Sequence, residues 1–524
     1  MKKSILILLL VAVSLFSYSA DWHNIKSDQP GPVTIELISS NVNTSTFTVK
    51  LDGFLKQEVT TPRGNAFVIG LEEATPILRK GAPDIPKTSA SLVIPDAGKM
   101  SVQVTGEKYT LVENILIAPS KGNLTRDIDP STVPFEYGDE YTHDSYFPGK
   151  LAELRDPYII RDLRGQAVVI YPFQYNPVNK TLKIYHELTI QVTKTADNGE
   201  NEISRTEPLS TVDVHFNSFY GNHFLNYSSA NRYDPVEEYG NYLIISHGPF
   251  MATMEPFVEW KKQIGFPVEM VDVSTIGNSA AIKTYIQDYY DSKGVTFVLL
   301  VGDHQQVQSS STSAGDSDNN YSYVAGNDHY PDLFIGRFSA ENEDQVITQV
   351  QRTITYEKNP RNDIDWFTIA TGIASDQGPG DDGEYDHQHI RNIHDDLLAF
   401  TYTYANELFD GSQGGNDDPG NPSPSQVADD LNNGTSIINY TGHGSTTSWG
   451  SSGFSNGDVN NLVNDNMLPF VWSVACVNGN FTNNTCFAEA WLRATNNGEP
   501  TGAIAFLAST INQSWNPPMC GQDE

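Results

Sequence analysis

Two stretches decide the reading: Thr435-Ser-Ile-Ile-Asn-Tyr-Thr-Gly-His-Gly444 and Leu468-Pro-Phe-Val-Trp-Ser-Val-Ala-Cys-Val-Asn-Gly479. Each opens with a short apolar run of β type, Thr435 to Asn439 in the first and Leu468 to Val474 in the second. In an open α/β sheet the crevice beyond the carboxyl ends of the strands is where chemistry is done. Two such strands would carry a histidine and a cysteine to one edge, the nucleophile-plus-base layout of a cysteine hydrolase.

Working outward, the segment from Tyr242 alternates strands with helices. Strands are expected at Tyr242 to Ile245, Val268 to Val271, Val295 to Val301, Leu333 to Ile335, Phe367 to Ala374 and Ala503 to Ala508. Helices are expected at Met251 to Gln263, Ile282 to Ser292, Asn342 to Lys358, His387 to Phe400 and Cys486 to Ala494. Strands apolar throughout and separated by helices predict a mostly parallel sheet covered on both faces. Residues 21 to about 195 read differently. Phe47, Val49 and Leu51 alternate with polar residues, as do Met100-Val102-Val104 and Leu188-Ile190-Val192, and Asn176-Pro-Val-Asn-Lys180 is turn chemistry. Lys194 to Val212 reads as a linker or exposed segment, and Arg232-Tyr233 as a processing bond at a domain boundary.

A chain of 524 residues favours two or more domains, and a hydrophobic fraction of 38% can fill real cores. The formal net charge of -33 argues against a nucleic-acid partner and fits an exported protein, Ca²⁺ binding or basic substrates. Lys2 and Lys3, the apolar run from Ile5 to Phe16, and Ser17 to Ala20 form a secretory signal peptide. That run is too short to span a bilayer, so no membrane span is expected and the address is secreted or cell surface. Three cysteines, Cys476, Cys486 and Cys520, make no disulfide framework and leave a thiol for reactivity or for burial.

The chemistry needs a thiolate, a base and oxyanion donors. Cys476 supplies the nucleophile, His443 the base and acid, and the N–H groups of Gly444 and Cys476 the oxyanion donors. A self-processing enzyme that cuts after Arg232 needs a carboxylate at the base of its S1 pocket, and Asp381, Asp382 and Asp386 lie in one acidic, Gly-rich loop. Asp303 and Asp328-His-Tyr-Pro-Asp332 are oxygen-rich strand ends that suit either Ca²⁺ or a polar turn. His387, His389 and His394 lack zinc-protease spacing, and no Gly-x-Ser-x-Gly elbow is present.

At these residues the chain resembles the gingipain family of cysteine proteases, arginine-specific members above all. The likeness is carried by Tyr233-Asp-Pro-Val-Glu-Glu, Leu299-Leu-Val-Gly-Asp-His304, Gly326-Asn-Asp-His-Tyr330 and Phe334-Ile-Gly-Arg-Phe338. It continues in Asn439-Tyr-Thr-Gly-His-Gly444, Val474-Ala-Cys-Val-Asn-Gly479 and Ala508-Ser-Thr-Ile-Asn-Gln-Ser-Trp515. The resemblance implies an α/β, caspase-like catalytic domain over 233–524, a β-rich inhibitory prodomain over 21–232, and a catalytic domain that continues past Glu524. It implies the pair His443 and Cys476, with Asp386 at the base of S1 beside Trp515 and Met519, and removal of the prodomain at Arg232. It places structural Ca²⁺ on Asp303, Asp328, Tyr330, Asp332, Glu384, Phe487, Asp523 and Glu524. The acid that orients the histidine falls near Asp376-Gln377, where a shortened loop blurs the correspondence, and Asp376 is the expected residue.

The reading is therefore a secreted zymogen of an endopeptidase for protein and peptide substrates with arginine at P1, its own prodomain acting as inhibitor. Arg126 is a candidate to fill S1 in the latent form. The rivals are a catalytically silent surface adhesin of the same fold and a lysine-preferring protease, since a carboxylate pocket holds either cation.

Overall fold

The computed structural model describes residues 21–205, 207, 209–230, 236–313 and 315–523. The expected signal peptide, the Arg232-Tyr233 bond and Glu524 lie outside the described residues.

The N-terminal region is antiparallel β, as its period-two patterning requires. Its longest strands, Thr181–Ala196 and Lys99–Val112, pair with each other, and Thr181–Ala196 also pairs with Thr44–Lys50. Phe47 and Val49 pack with Leu188, Ile190 and Val192 in one buried cluster. The predicted turn closes the hairpin between Phe173–Asn176 and Thr181–Ala196. Lys194 to Val212, expected to be a linker or exposed segment, is largely exposed but anchored at several points. The strand runs to Ala196, the buried Arg164 guanidinium donates to the carbonyls of Glu200, Gly98 and Pro95, and Thr211–Asp213 pairs with Val236–Glu238. Polar composition concealed this because the contacts are made by backbone and by charged side chains.

The α/β region has two parallel sheets rather than one. The first holds β1 (Tyr242–Ser246), β2 (Val268–Asp272), β3 (Phe297–Val301) and β4 (Phe334–Phe338) in the order β2-β1-β3-β4. The second holds β5 (Ile369–Ala374), β6 (Tyr404–Phe409), β7 (Ile437–Thr441), β8 (Phe470–Val474) and β9 (Ala505–Ala508) in the order β6-β5-β7-β8-β9. The region's main helices are α1 (Met251–Gln263), α2 (Ser279–Lys293), α3 (Glu343–Lys358), α4 (Asp386–Phe400), α5 (Pro424–Asn433), α6 (Phe487–Arg493) and α7 (Asn516–Asp523).

Continuous apolar strands follow from this layering. On β1, Leu243 and Ile245 face Ile282 and Ile286 of α2, while Ile244 faces Met254 of α1 and Val346 of α3. Each such fully buried side chain contributes about 1.5–3 kcal/mol. In the second sheet, Ile373, Ile438 and Tyr440 pack with Val427 and Leu431 of α5 and Trp491 of α6, whereas Ala374 meets Ile390 of α4 on the other face. Among the described residues no helix is long and apolar enough to cross a membrane.

Candidate active site

β7 and β8 are adjacent and parallel, with Thr441 opposite Val474. His443 and Cys476 each follow their strand end by two residues, so the same register step brings both to one edge. The Gly442 N–H donates to the Val474 carbonyl at 3.2 Å, and the Gly450 N–H to the His443 carbonyl at 2.8 Å. Gly444 is required by space: a Cβ there would lie 2.6 Å from the Cys476 carbonyl oxygen. The two loops are stitched together by Asn478, which is fully buried. Its Nδ2 donates to the carbonyls of Ser445 (2.6 Å) and Ser448 (3.1 Å), and its Oδ1 accepts from the Ser473 hydroxyl at 2.9 Å. Val477, directly after the cysteine, takes φ 52°, a left-handed backbone that a β-branched residue adopts only under strain.

Cys476 is 5% exposed, and its own N–H donates to no acceptor among the described residues. Burial pushes its thiol pKa up. The Gln513 N–H aimed at the sulfur works against this, Asp127 adds to it and Arg126 opposes it. His443 is half-buried, with Nε2 at 2.8 Å from Gln377 Oε1. Asp376, the expected orienting acid, is exposed, and the neighbouring Gln377 makes the contact in its place. A one-residue difference cannot be resolved from sequence when the loop length changes, and a glutamine carries no charge to mark it.

Asp386 lies at the start of α4 with no exposed surface. Arg126, 1% exposed, donates to both of its carboxylate oxygens at 3.0 and 3.1 Å, and the Ser375 hydroxyl donates to Oδ2 at 2.5 Å. The Arg126 guanidinium carbon stands 4.4 Å from the centre of the Trp515 ring. Trp515 and Met519 are buried with Val474 and Leu124, and Met519 also closes against Gly380. The backbone around Arg126 makes an isolated antiparallel bridge to the segment around Ser514. The Arg126 N–H donates to the Gln513 carbonyl at 2.8 Å, Thr125 bridges Ser514, and the Trp515 N–H donates to the Leu124 carbonyl at 3.0 Å. Asp381 and Asp382 are not part of this pocket's base. Asp382 Oδ2 accepts the Glu73 N–H at 3.0 Å, and burial pushes its pKa up to about 9 and that of Asp381 to about 7.

The expected calcium positions lie in several parts of the fold. Asp303 accepts the His304 N–H and faces Arg493 at 3.4 Å. Asp328 accepts the N–H groups of Ile159 and Tyr330. Asp332 is fully buried, and both its oxygens accept peptide N–H groups, from Arg161, Val324 and Ala325. Phe487 packs in the core of the second sheet, and Tyr330 stacks on Tyr158 at 3.8 Å. Glu384 and Asp523 share a neighbour, His389 Nδ1 at 3.4 and 3.3 Å. Among the described residues no group of three or more His, Cys, Asp and Glu side chains is arranged to hold a metal ion. His387 lies near Phe409, and His394 against Gly372 with its pKa pushed down to about 4 by burial, so the three α4 histidines form no cluster.

The sequence profile of peptidase family C25 matches residues 236–522, and that of the C25 propeptide matches residues 26–221. The chain belongs to peptidase family C25. Gingipain R2 of Porphyromonas gingivalis is 41% identical over 500 residues, 94% of this chain and 66% of that relative. The chain thus spans slightly under two thirds of that relative's length. Two solved structures resemble it with TM-scores of 0.52 at 42% identity. One is a complex of Porphyromonas gingivalis RgpB pro- and mature domains, covering 54% of this chain and 67% of the other. The second is the Arg specific cysteine proteinase gingipain R (RgpB), covering 56% of this chain and 68% of the other.

Proposed function

We propose that the chain is the latent form of a cysteine endopeptidase that cleaves after arginine. One observation carries this reading: prodomain Arg126 sits in a buried pocket with both guanidinium arms on Asp386, and the backbone around it is hydrogen-bonded antiparallel to Gln513 and Trp515. A substrate arginine at P1 would use the same backbone pairing, carboxylate and Trp515 face. Two parallel N–H donors match a planar carboxylate, a geometry that the single ammonium of lysine does not reproduce.

In the active form His443 takes the Cys476 proton, and the thiolate attacks the scissile carbonyl. The N–H groups of Cys476 and Gly444 receive the developing oxyanion. The imidazolium then protonates the leaving amine, and water activated by the same imidazole hydrolyses the acyl-enzyme. Removal of the prodomain at Arg232-Tyr233, and export directed by residues 1–20, complete the reading. Calcium remains part of it at Glu384 and Asp523, whose carboxylates converge on His389. Ca²⁺ added to chelator-stripped protein is expected to raise Tm, and an unchanged Tm removes calcium.

The test is the Cys476→Ala chain. It should stay uncleaved and hydrolyse no arginyl reporter, while the parent chain matures and hydrolyses arginyl in preference to lysyl reporters. Activity retained without Cys476 ends the assignment.

A further inference from the structure

A cavity of about 330 Å³ lies between the prodomain and the α/β region. That is room enough for a small organic molecule. Its prodomain wall is the hairpin of strands Gly53–Thr61 and Gly64–Gly70. Successive side chains of a strand alternate between faces, and residues opposite each other share one. Leu55, Gln57 and Val59 therefore line the cavity together with Val68, which stands opposite Gln57. Gly380, Tyr385 and Trp515 supply the other wall, so the indole that carries Arg126 in the specificity pocket also closes this space.

Three polar side chains interrupt these apolar walls. Asp84 lines the cavity, and among the described residues its carboxylate makes no hydrogen bond and no ion pair. Burial pushes its pKa up to about 7, with Lys121 alone opposing. Lys121 is already engaged: its Nζ donates to the Pro130 carbonyl at 2.7 Å and stands 4.4 Å from the centre of the Phe135 ring. Gln57 is 7% exposed, and its side-chain amide makes no hydrogen bond among the described residues. Polar groups left unpaired in an apolar site are costly, and a ligand that pairs with them recovers that cost.

We propose that this cavity is a binding site for a small primary amine with an aromatic or alkyl body, its ammonium group on Asp84 and its body against Leu55, Val59, Val68 and Trp515. An anion would meet the Asp84 carboxylate and find Lys121 already occupied. A purely apolar molecule would leave Asp84 and Gln57 unpaired. Because the prodomain and the α/β region each supply a wall, the site exists only while the two are packed together. By mass action an occupant present at 100 times its Kd would hold the prodomain in place about 100-fold more firmly. Latency would then respond to a small molecule that touches neither His443 nor Cys476. The inference does not rest on the protease reading, since it concerns a space between two packed halves of the chain.

Titration calorimetry on the full-length, uncleaved Cys476→Ala chain tests the proposal, because Arg126 there keeps the specificity pocket filled. The probes are 2-phenylethylamine, the neutral 2-phenylethanol and the anionic 3-phenylpropionate, at about pH 8, where Asp84 is ionised. The amine should saturate a single site, the alcohol should bind more weakly, and the acid should give no saturable heat. Asp84→Asn keeps the side-chain volume and removes the charge. It should weaken the amine at least about tenfold and leave the alcohol within about twofold, as expected for loss of a hydrogen bond to a charged group. Val68→Trp fills the cavity and should abolish binding of both. No saturable heat with the amine overturns the proposal, as does an acid that binds as tightly as the amine. Amine binding unchanged by Asp84→Asn also overturns it, since that result means the amine has displaced Arg126 and paired with Asp386 instead. If tryptophan at position 68 prevents folding, the paired amine and alcohol titrations of Asp84→Asn still decide.

Discussion

Replacing Arg126 by alanine is the sharpest test of how latency is held. The Arg126–Asp386 pair is withdrawn from water on both sides, at 1% and 0% side-chain exposure. Removing one partner of such a pair leaves the other charge buried and unpaired, at a cost of about 3–5 kcal/mol. Loss of the guanidinium over Trp515, now 4.4 Å from the ring centre, adds about 1 kcal/mol. At 1.4 kcal/mol per tenfold, the prodomain should dissociate at least about 100-fold more readily. The assay uses the chain nicked at Arg232 with both parts still associated. The complex is diluted, and the activity released on an arginyl reporter is followed against concentration. Arg126→Lys, which keeps the charge but offers no paired donors, should fall between parent and alanine variant. Combining Arg126→Ala with Asp386→Asn should cost less than the sum of the single changes, since the two side chains act as one unit. A nicked Arg126→Ala complex that dissociates at the parental concentration refutes the idea that this arginine plugs the pocket.

Asn478→Ala should destabilise the α/β region by about 1–3 kcal/mol, since the buried Ser473 hydroxyl and the part-buried carbonyls of Ser445 and Ser448 lose their partner, and should reduce activity by freeing the loop after His443; denaturant titration and reporter kinetics check both. Gly444→Ala should lower kcat strongly and Tm by several degrees, because the new methyl group meets the Cys476 carbonyl at 2.6 Å, a backbone atom that cannot turn aside. Asp430 on α5 should make stability fall as pH rises. Burial, with Asp429 and Asp418 nearby, pushes its pKa up to about 7, above its ordinary value. The folded chain therefore keeps a proton that the unfolded chain has lost between about pH 4 and 7, and this stabilisation disappears as pH climbs through 7. Asp430→Asn should raise Tm at pH 8 and leave it unchanged at pH 4; an equal shift at both pH values would contradict the assignment.

Much of this protein is written in local pattern. The continuous apolar runs of β1 and β3 announced strands buried on both faces, and the spacing of α1 and α3 gave helices close to their observed ends. The glycines around His443 and the residues around Cys476 marked the edge where the chemistry is placed. What went unread is local structure without an apolar signature. Edge strand β6 is polar at Asn406 and Glu407, the latter bonded to Arg391. Helix α5 was legible in the Ser423-Pro-Ser-Gln426 cap and Gly434, yet its short apolar stripe is only Val427 and Leu431. Helix α7 begins in two prolines, a composition that reads as a break although proline is at home in a first helical turn.

Sequence by itself determined which residue types lie at each strand end, because periodicity and close-approach glycines are properties of neighbouring residues. Tertiary structure decided which of them meet. That Arg126 reaches Asp386 across 260 positions, that Gln377 rather than Asp376 holds the histidine, and that Asp332 accepts the Arg161 N–H all depend on chain segments far apart in sequence. Hydrogen bonds are satisfied in space within about 3 Å, and one residue of slip in a loop exchanges an exposed carboxylate for a bonded amide.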